Sequence, residues 1–471
     1  MFFESFLINL SILILLIIAL IFDYVTKFFS YWYVRHIPYK TSLPFFGSDY
    51  HRVLAVRSST DDVNNLYSGH PRDKFVGRIK SRIPDLIVRD PDVIKRMLST
   101  DFANFHSRGL GLDKSQDVCL RNNLFYADGE KWTLLREGLE SILNSMDCEF
   151  ENGLQECLSG TNGDANVQRL LSKVLDFVFK DLLLGNNIDS SLVKELRSAV
   201  QKRTFIEKLK SYLKNIFPSL YTLFGAVTLP GQPSSQTKEV MNSSRLMNKI
   251  RNIGHAIQRG IKDKNRNYKN DETDFAFSTL ALFITEGYIP CLSILTALLF
   301  ELAKNTQLQD KARNSVSKDN REDYLDVTIK ETLRMHPPYS IITRQCVKSY
   351  QFQDSTLLLD KKITINIPVD AIHKDEEHYK EANVFNPDRF LDDEGATKHC
   401  YAYLPFGAGP RKCVGEQLSL RIVKSIARDI LKKYDIEPCG KTPTRLPVSD
   451  HNFGRVIDKD IWLRFQYIRK I

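Results

Sequence analysis

The chain lacks paired cysteines. Its eight, at 119, 148, 157, 291, 346, 400, 413 and 439, include no CxxC pair, and their spacing fits neither a disulfide framework nor a zinc site. Reduced, buried thiols on the cytosolic side of a membrane are the reading for seven of them. A basic tract is also lacking: 66 Lys and Arg against 57 Asp and Glu leave a formal net charge of +9, scattered along the sequence. That excludes a nucleic-acid binder of the usual basic kind and suits an acidic partner or an anionic membrane surface. The 471 residues hold no internal repeat, no low-complexity block and few strand-like stretches. The length allows two or three average domains, or one large domain with a deep interior.

Charge is absent from one long run. From Phe6 to Phe22 the chain reads FLINLSILILLIIALIF, with Asn9 and Ser11 its only polar members. This is about the minimum for a membrane-spanning helix, for which ~20 apolar residues are typical. No small-residue cleavage site closes it, so a retained anchor is expected rather than a removed signal peptide. Glu4 precedes the run, and Lys27, Arg35 and Lys40 follow it, which places the later residues in the cytosol. No second segment is expected to match it. The reading is therefore an anchor over 1–28, a proline-bearing hinge over 29–48 ("HIPYKTSLPFFGS", 36–48), and one catalytic body over 49–471.

The body reads as mainly α with a small sheet. Strands are expected in "GRIKSRIPDLIVRD" (77–90) and, as a hairpin, in "YQFQDSTLLLDKKITINIPV" (350–369). "FPSLYTLFGAVTLPG", within 205–232, is either a core helix or a surface segment dipping into the membrane. "KDKNRNYKNDE" (262–272) reads as a solvated loop.

Cys413 is the cysteine that stands apart. It follows a tight cationic turn, "PFGAGPRK", and precedes Gly415 and the amphipathic run EQLSLRIV. Unpaired N–H groups at a helix start, with Arg411 and Lys412 beside them, should lower its pKa and favour a thiolate. The flanking glycines leave room for a flat, bulky group, and Phe406 can lie against it. A nucleophilic cysteine needs a base, and no His has a motif-like relation to this turn. A lone thiolate holding a metal implies that a macrocycle supplies the other ligands, which is haem.

The stretch Phe406-Gly407-Ala408-Gly409-Pro410-Arg411-Lys412-Cys413-Val414-Gly415 resembles the FxxGxxxCxG cysteine-ligand signature of the cytochrome P-450 family. Other landmarks follow the family's order. Glu331-Thr332-Leu333-Arg334 is similar to its ExxR, Asn386-Pro387-Asp388-Arg389-Phe390 to its PxRF segment, and Trp132-Thr133-Leu134-Leu135-Arg136 to its WxxxR helix. The resemblance covers essentially the whole chain and is nearest the microsomal animal branch, including its xenobiotic-metabolising members. It implies a single haem-thiolate fold behind the N-terminal transmembrane helix, with haem b (iron protoporphyrin IX) bound through Cys413. Arg108, Trp132, Arg136, Arg344, Phe406, Arg411 and Gly415 are the implied cofactor contacts. Glu331, Arg334 and Arg389 are expected to form a buried structural triad. The implied partners are NADPH-cytochrome reductase, cytochrome b5 as a further electron donor, a lipophilic small molecule and the endoplasmic reticulum membrane.

Two departures stand out. On the helix expected to cross the distal face, the family carries a small residue, Gly, any residue, an acid and Thr, which organise the water that delivers protons to dioxygen. Counting back from ELAKN in "LALFITEGYIPCLSILTALLFELAKN" (280–305) puts Gly287 at the glycine place, Ile289 at the acid place and Pro290 at the threonine place. Pro290 should kink the helix. Glu286, one turn before it, either reaches the distal pocket and replaces the acid or points away and pairs with a base. The second departure is length: only "KDNREDYLDVTIK" separates Ser317 from the ExxR, where relatives carry a further helix. Glu286, Gly287 and Pro290 are thus the catalytic candidates. A monooxygenase is the leading reading; a dioxygen-free isomerase or dehydratase and a non-enzymatic haem binder are the alternatives. By the resemblance, 108–124, 205–232, 339–343 and 448–456 line the substrate pocket.

Overall fold

The computed structural model describes residues 2–42, 47–48, 50–53, 58–80, 83–109, 123–144, 146, 160–183, 193, 278–316, 323–352, 355–391, 397, 399–451 and 454–468. The segments 205–232 and 262–272, most of the 108–124 loop and Cys119, Cys148 and Cys157 lie outside the described residues.

The apolar run sits in α1 (Phe2–Phe29), whose window Phe6–Asp23 has no residue buried by the body. The expected hinge is packed. A short helix, α2 (Tyr31–Val34), follows, and Trp32 on it is fully buried. Its Nε1–H donates to Arg78 O at 2.8 Å, and its ring lies where a Cβ on Gly77 would be only 2.4 Å away. Asp360 accepts from Arg35 at 2.7 Å and from the Tyr31 hydroxyl at 2.6 Å. A large aromatic and an ion pair outweigh the loop character of the nearby prolines.

The strands are Phe75–Lys80 (β1), Ile83–Val88 (β2), Gly163–Asn166 (β3), Ile342–Gln345 (β4), Tyr350–Gln351 (β5), Leu358–Leu359 (β6), Thr364–Ile367 (β7), Tyr434–Pro438 (β8), Val448–His451 (β9), Gly454–Ile457 (β10) and Trp462–Tyr467 (β11). The main sheet has the order β1-β2-β7-β4, with β2 and β7 parallel and the other pairs antiparallel. The stretch 350–369 divides: β5 and β6 form a small hairpin of their own, and β7 joins the main sheet. Arg344 lies on β4, the edge strand, opposite Ile365.

The helical core packs Gly129–Asn144 (α3), Val167–Leu183 (α4), Ser278–Lys304 (α5), Tyr324–Met335 (α6) and Glu416–Lys433 (α7). In α7 the buried residues Leu418, Ile422, Val423, Ile426, Ala427, Ile430 and Leu431 form one stripe at helical spacing. Contrary to the sequence expectation of a single long apolar segment, α5 is also long and apolar enough to span a membrane. Half of it is buried within the body, where Leu295, Leu298, Leu299 and Leu302 join the core, so its apolarity serves packing.

Pro290 changes the hydrogen bonding of α5. It has no N–H to give to the carbonyl of Glu286, and the turn ahead of it widens into a π-helical segment, Phe283–Tyr288. Tyr288 and Ile289 keep right-handed helical angles, so the rod continues into Ile289–Lys304. The Tyr288 hydroxyl ties this turn to α4 by donating to Asp176 Oδ1 at 2.8 Å.

On α6, Glu331 and Arg334 are fully buried, and Arg334 Nε and Nη2 donate to the two carboxylate oxygens at 2.7 and 2.8 Å. Arg389 Nε adds a third cationic contact at 3.2 Å, and the Asn386 N–H donates at 2.8 Å. This is the triad that the spacing implied.

Candidate active site

Residues 404–415 form a rigid loop leading into α7. The Gly407 N–H donates to Leu404 O at 3.1 Å and the Cys413 N–H to Phe406 O at 3.0 Å. Gly407 and Gly409 have φ of 71° and 69°. A Cβ on Gly409 would lie 1.7 Å from Leu98 O, so this position admits only glycine. Cys413 is thereby presented with its sulfur open to a cavity of about 230 Å³. A Cβ on Gly415 would come no closer than 3.8 Å to a protein atom, so this side of the sulfur stays clear.

The expectation that the turn lowers the Cys413 pKa is not met by the protein alone. Burial raises it, the Gly415 N–H bond and Arg136 pull it down, and Glu286 and Glu416 push it up. Arg411 is turned away to Ala127 O and Asp128, and Lys412 is held by Glu416 at 2.6 Å. The neighbouring cations are drawn off by partners of their own, and burial removes the water that would stabilise a thiolate.

Of the remaining described cysteines, Cys291 and Cys346 are buried and free, but Cys400 is exposed and Cys439 only partly buried, so the reading of buried thiols fails at those two. Cys291 also lines the cavity, where burial pushes its thiol up to about 12.

Around the same cavity, cationic side chains converge. Arg108, Trp132, Arg136, Arg344, Phe406, Arg411 and Gly415 all line the same cavity. Arg344 on β4 is 1% exposed and gives one hydrogen bond, Nη1 to Thr343 O at 3.0 Å. Burial and the like charges of Arg108 and Arg411 push its guanidinium well below the usual range. Arg411 is pushed down to about 9, mainly by burial and then by Arg108. The Nε atoms of Arg108, Arg344 and Arg411 are buried without a partner. Arg136 bridges Lys412 O at 2.7 Å and Glu140 at 2.8 Å, and stands 6.0 Å from the Trp132 ring centre.

Buried guanidinium groups that repel one another and keep unpaired donors require an anion. Two carboxylates fit this set by charge and by fork geometry. A planar dianionic macrocycle, its carboxylates on the arginines and its metal at the Cys413 sulfur, suits the donors present.

The distal wall is α5. Glu286, Gly287 and Pro290 line the cavity, whereas Ile289 packs against the helical core. A Cβ on Gly287 would meet the Phe179 ring at 3.5 Å. Glu286 is half-buried and faces the cavity instead of pointing away, and Arg108 attracts it there. Loss of water raises its pKa, against the opposing effects of the Tyr339 hydroxyl, Arg108 and Thr285. Tyr339 Oη donates to Glu286 Oε2. Sequence reading placed Tyr339 only in a lining segment; its one local signal was a hydroxyl five residues ahead of Arg344.

A cysteine open to a mostly apolar cavity, with buried arginines whose Nε atoms lack partners, is the donor set that suits a haem-thiolate protein. The comparisons agree: the family described as cytochrome P-450 matches residues 72–463. The chain is 26% identical to cytochrome P-450 6B1 of Papilio polyxenes, with 91% of this chain and 94% of that protein covered. It is 25% identical to cytochrome P-450 6B2 of Helicoverpa armigera (94% and 95% covered) and 25% identical to cytochrome P-450 6k1 of Blattella germanica (93% of each). The chain belongs to the cytochrome P-450 family. It is a haem-thiolate monooxygenase that binds haem b and works with a redox partner on lipophilic substrates.

Proposed function

We propose that Cys413 is the axial ligand of the haem iron, that Arg108, Arg344 and Arg411 with Trp132 and Arg136 receive the propionates, and that Glu286 supplies protons in place of the missing acid–threonine pair. The observation that carries this reading is the convergence of one open sulfur, three guanidinium groups with unpaired Nε atoms, and one cavity-facing carboxyl on a single cavity. When bound, haem activates dioxygen for insertion of one oxygen atom into a lipophilic substrate. The protein's own work is to hold the cofactor's carboxylates, exclude water with the apolar wall of Leu282, Phe283, Ile341 and Ile342, and deliver protons from Glu286. Electrons are drawn from NADPH through cytochrome reductase, with cytochrome b5 as a further donor. The substrates are foreign lipophilic compounds, as the family resemblance suggests.

Turnover of a panel of lipophilic compounds with reductase and NADPH tests this. Product should require NADPH and dioxygen together; turnover without either would instead mark an isomerase or dehydratase. General acid catalysis is worth typically ~10²–10⁴ in rate, so Glu286→Gln should lower coupled product formation by roughly tenfold or more and raise peroxide release. Carbon monoxide binding should be intact. A variant indistinguishable from the parent would remove Glu286 from the proton path.

We also propose that α1 holds the protein in the endoplasmic reticulum membrane with the body in the cytosol, on the ground of the basic residues that follow the run. Protease added to intact microsomes should digest the body and leave the anchor; full protection would reverse the topology.

A further inference from the structure

Ile289 and Pro290 leave α5 without the acid and the hydroxyl that its relatives carry there, yet the cavity is lined by a carboxyl and a phenol that meet each other. Glu286 comes from the π-helical turn, and the hydroxyl comes from Tyr339, 53 residues away in the segment between α6 and β4. The Tyr339 ring is fixed beside Phe125, with centroids 5.9 Å apart, and Phe125 in turn lies under Arg108, whose Cζ is 3.6 Å from the ring centre. Tyr339 and Glu286 line the same cavity as Cys413. The charged and titratable groups that face the pair are Arg108, Tyr126, Asp128 beyond Arg108, and Cys413, with the Thr285 hydroxyl on the same turn.

We propose that Tyr339 is the positioning residue for the proton-supplying carboxyl, so that Glu286 and Tyr339 form one acid–hydroxyl pair assembled from two separate elements. The proposal rests on the reading of Glu286 given above. In the step it serves, the O–H bond of the Glu286 carboxyl breaks and the proton passes to a water in the cavity. The carboxylate left behind accepts a hydrogen bond from the phenol, which keeps its own proton, and the carboxyl is reprotonated from solvent. Burial and Glu286 raise the Tyr339 pKa well above the usual phenol range, so it stays a donor throughout. A carboxylate that can turn freely in an apolar cavity would meet Arg108 instead of the water it must serve. Fixing one of its oxygens prevents that.

Tyr339→Phe keeps the ring beside Phe125 and removes only the hydroxyl. In the full-length, haem-loaded protein with reductase, product per NADPH should fall by about tenfold, the low end of what one hydrogen bond to a charged group is worth, and peroxide should rise. The phenol favours the carboxylate, so its loss should move the alkaline limb of the coupling–pH profile upward. The infrared carboxyl band that disappears in Glu286→Gln should titrate with a higher midpoint in Tyr339→Phe, read on the carbon monoxide complex without turnover. The double variant should be no worse than Glu286→Gln alone. Glu286→Asp, which keeps the acid and draws it away from the phenol, should repeat the phenotype and serves if Tyr339→Phe fails to load haem. If Tyr339→Phe couples like the parent while Glu286→Gln does not, Tyr339 has no positioning role and the Glu286 reading stands. If both couple like the parent, the Glu286 reading falls and this proposal with it. Additive losses in the double variant would place the action of Tyr339 elsewhere and overturn the proposal.

Discussion

Replacing Cys413 with histidine should abolish the red-shifted absorption of the reduced carbon monoxide complex and, with it, all monooxygenation. That band reports a thiolate on iron, and two thiols line the cavity, Cys413 and Cys291. Geometry separates them. Cys413 is open to the cavity, flanked by Gly415 and outside any disulfide, and its sulfur accepts the Gly415 N–H. Cys291 is buried in the wall of α5 beside Ser419, and its thiol is pushed up to about 12. Burial raises both thiols, so in each case the metal must supply the driving force for deprotonation, and it can do so only where the sulfur is accessible. Cys291→Ser should therefore leave the spectrum in place. An unchanged spectrum in Cys413→His, or its loss in Cys291→Ser, would transfer the ligand assignment.

What the sequence made legible was what is encoded within a few residues. The turn from Phe406 to Gly415 could be read because its glycines answer a local demand: Gly407 and Gly409 both take positive φ. Glu331 and Arg334 could be paired because one helical turn fixes their separation. The direction of the Cys413 shift could not be read, because it depends on how much water the fold removes and on where Arg411 and Lys412 find partners. The expected hinge misled for the same reason: prolines and glycines are visible locally, but the cleft at Gly77 that receives Trp32 exists only once β1 is formed. Tyr339 was passed over because its partner lies on an element 53 residues away, and no periodicity links them. Local spacing carried the ligand turn and the Glu331–Arg334 pair, and the family resemblance carried Arg389 and the cavity arginines, while burial and the Glu286–Tyr339 contact had to wait for the fold.

Arg334→Ala should be the most damaging change outside the cofactor loop. Arg334 is fully buried, and besides its two bonds to Glu331 it donates to His373 O, Ala382 O and Val384 O. One side chain therefore joins α6 to the segments at 373 and 382–384. Its loss would leave the Glu331 carboxylate buried with only Arg389 at 3.2 Å and the Asn386 N–H at 2.8 Å, and would orphan His373 O and Ala382 O, while Val384 O keeps Arg389 Nη2 at 3.3 Å. Removing one member of a buried ion pair costs about 3–5 kcal/mol, a large share of the ~5–15 kcal/mol that holds a typical fold together. At 1.4 kcal/mol per tenfold, the unfolded fraction should rise by about a hundredfold to a few thousandfold. Because Ile329 and Leu333 on the same helix line the cavity, haem retention should fall together with stability. Arg389→Lys, which keeps a charge at the outer contact, should cost far less. The comparison is made by denaturant unfolding of each purified variant, with haem content read in parallel. If Arg334→Ala unfolds at the parent's midpoint, the triad is dispensable and the link between α6 and the cofactor pocket lies elsewhere. If Arg389→Lys is equally damaging, the load is shared across all three residues and Arg334 is not its centre.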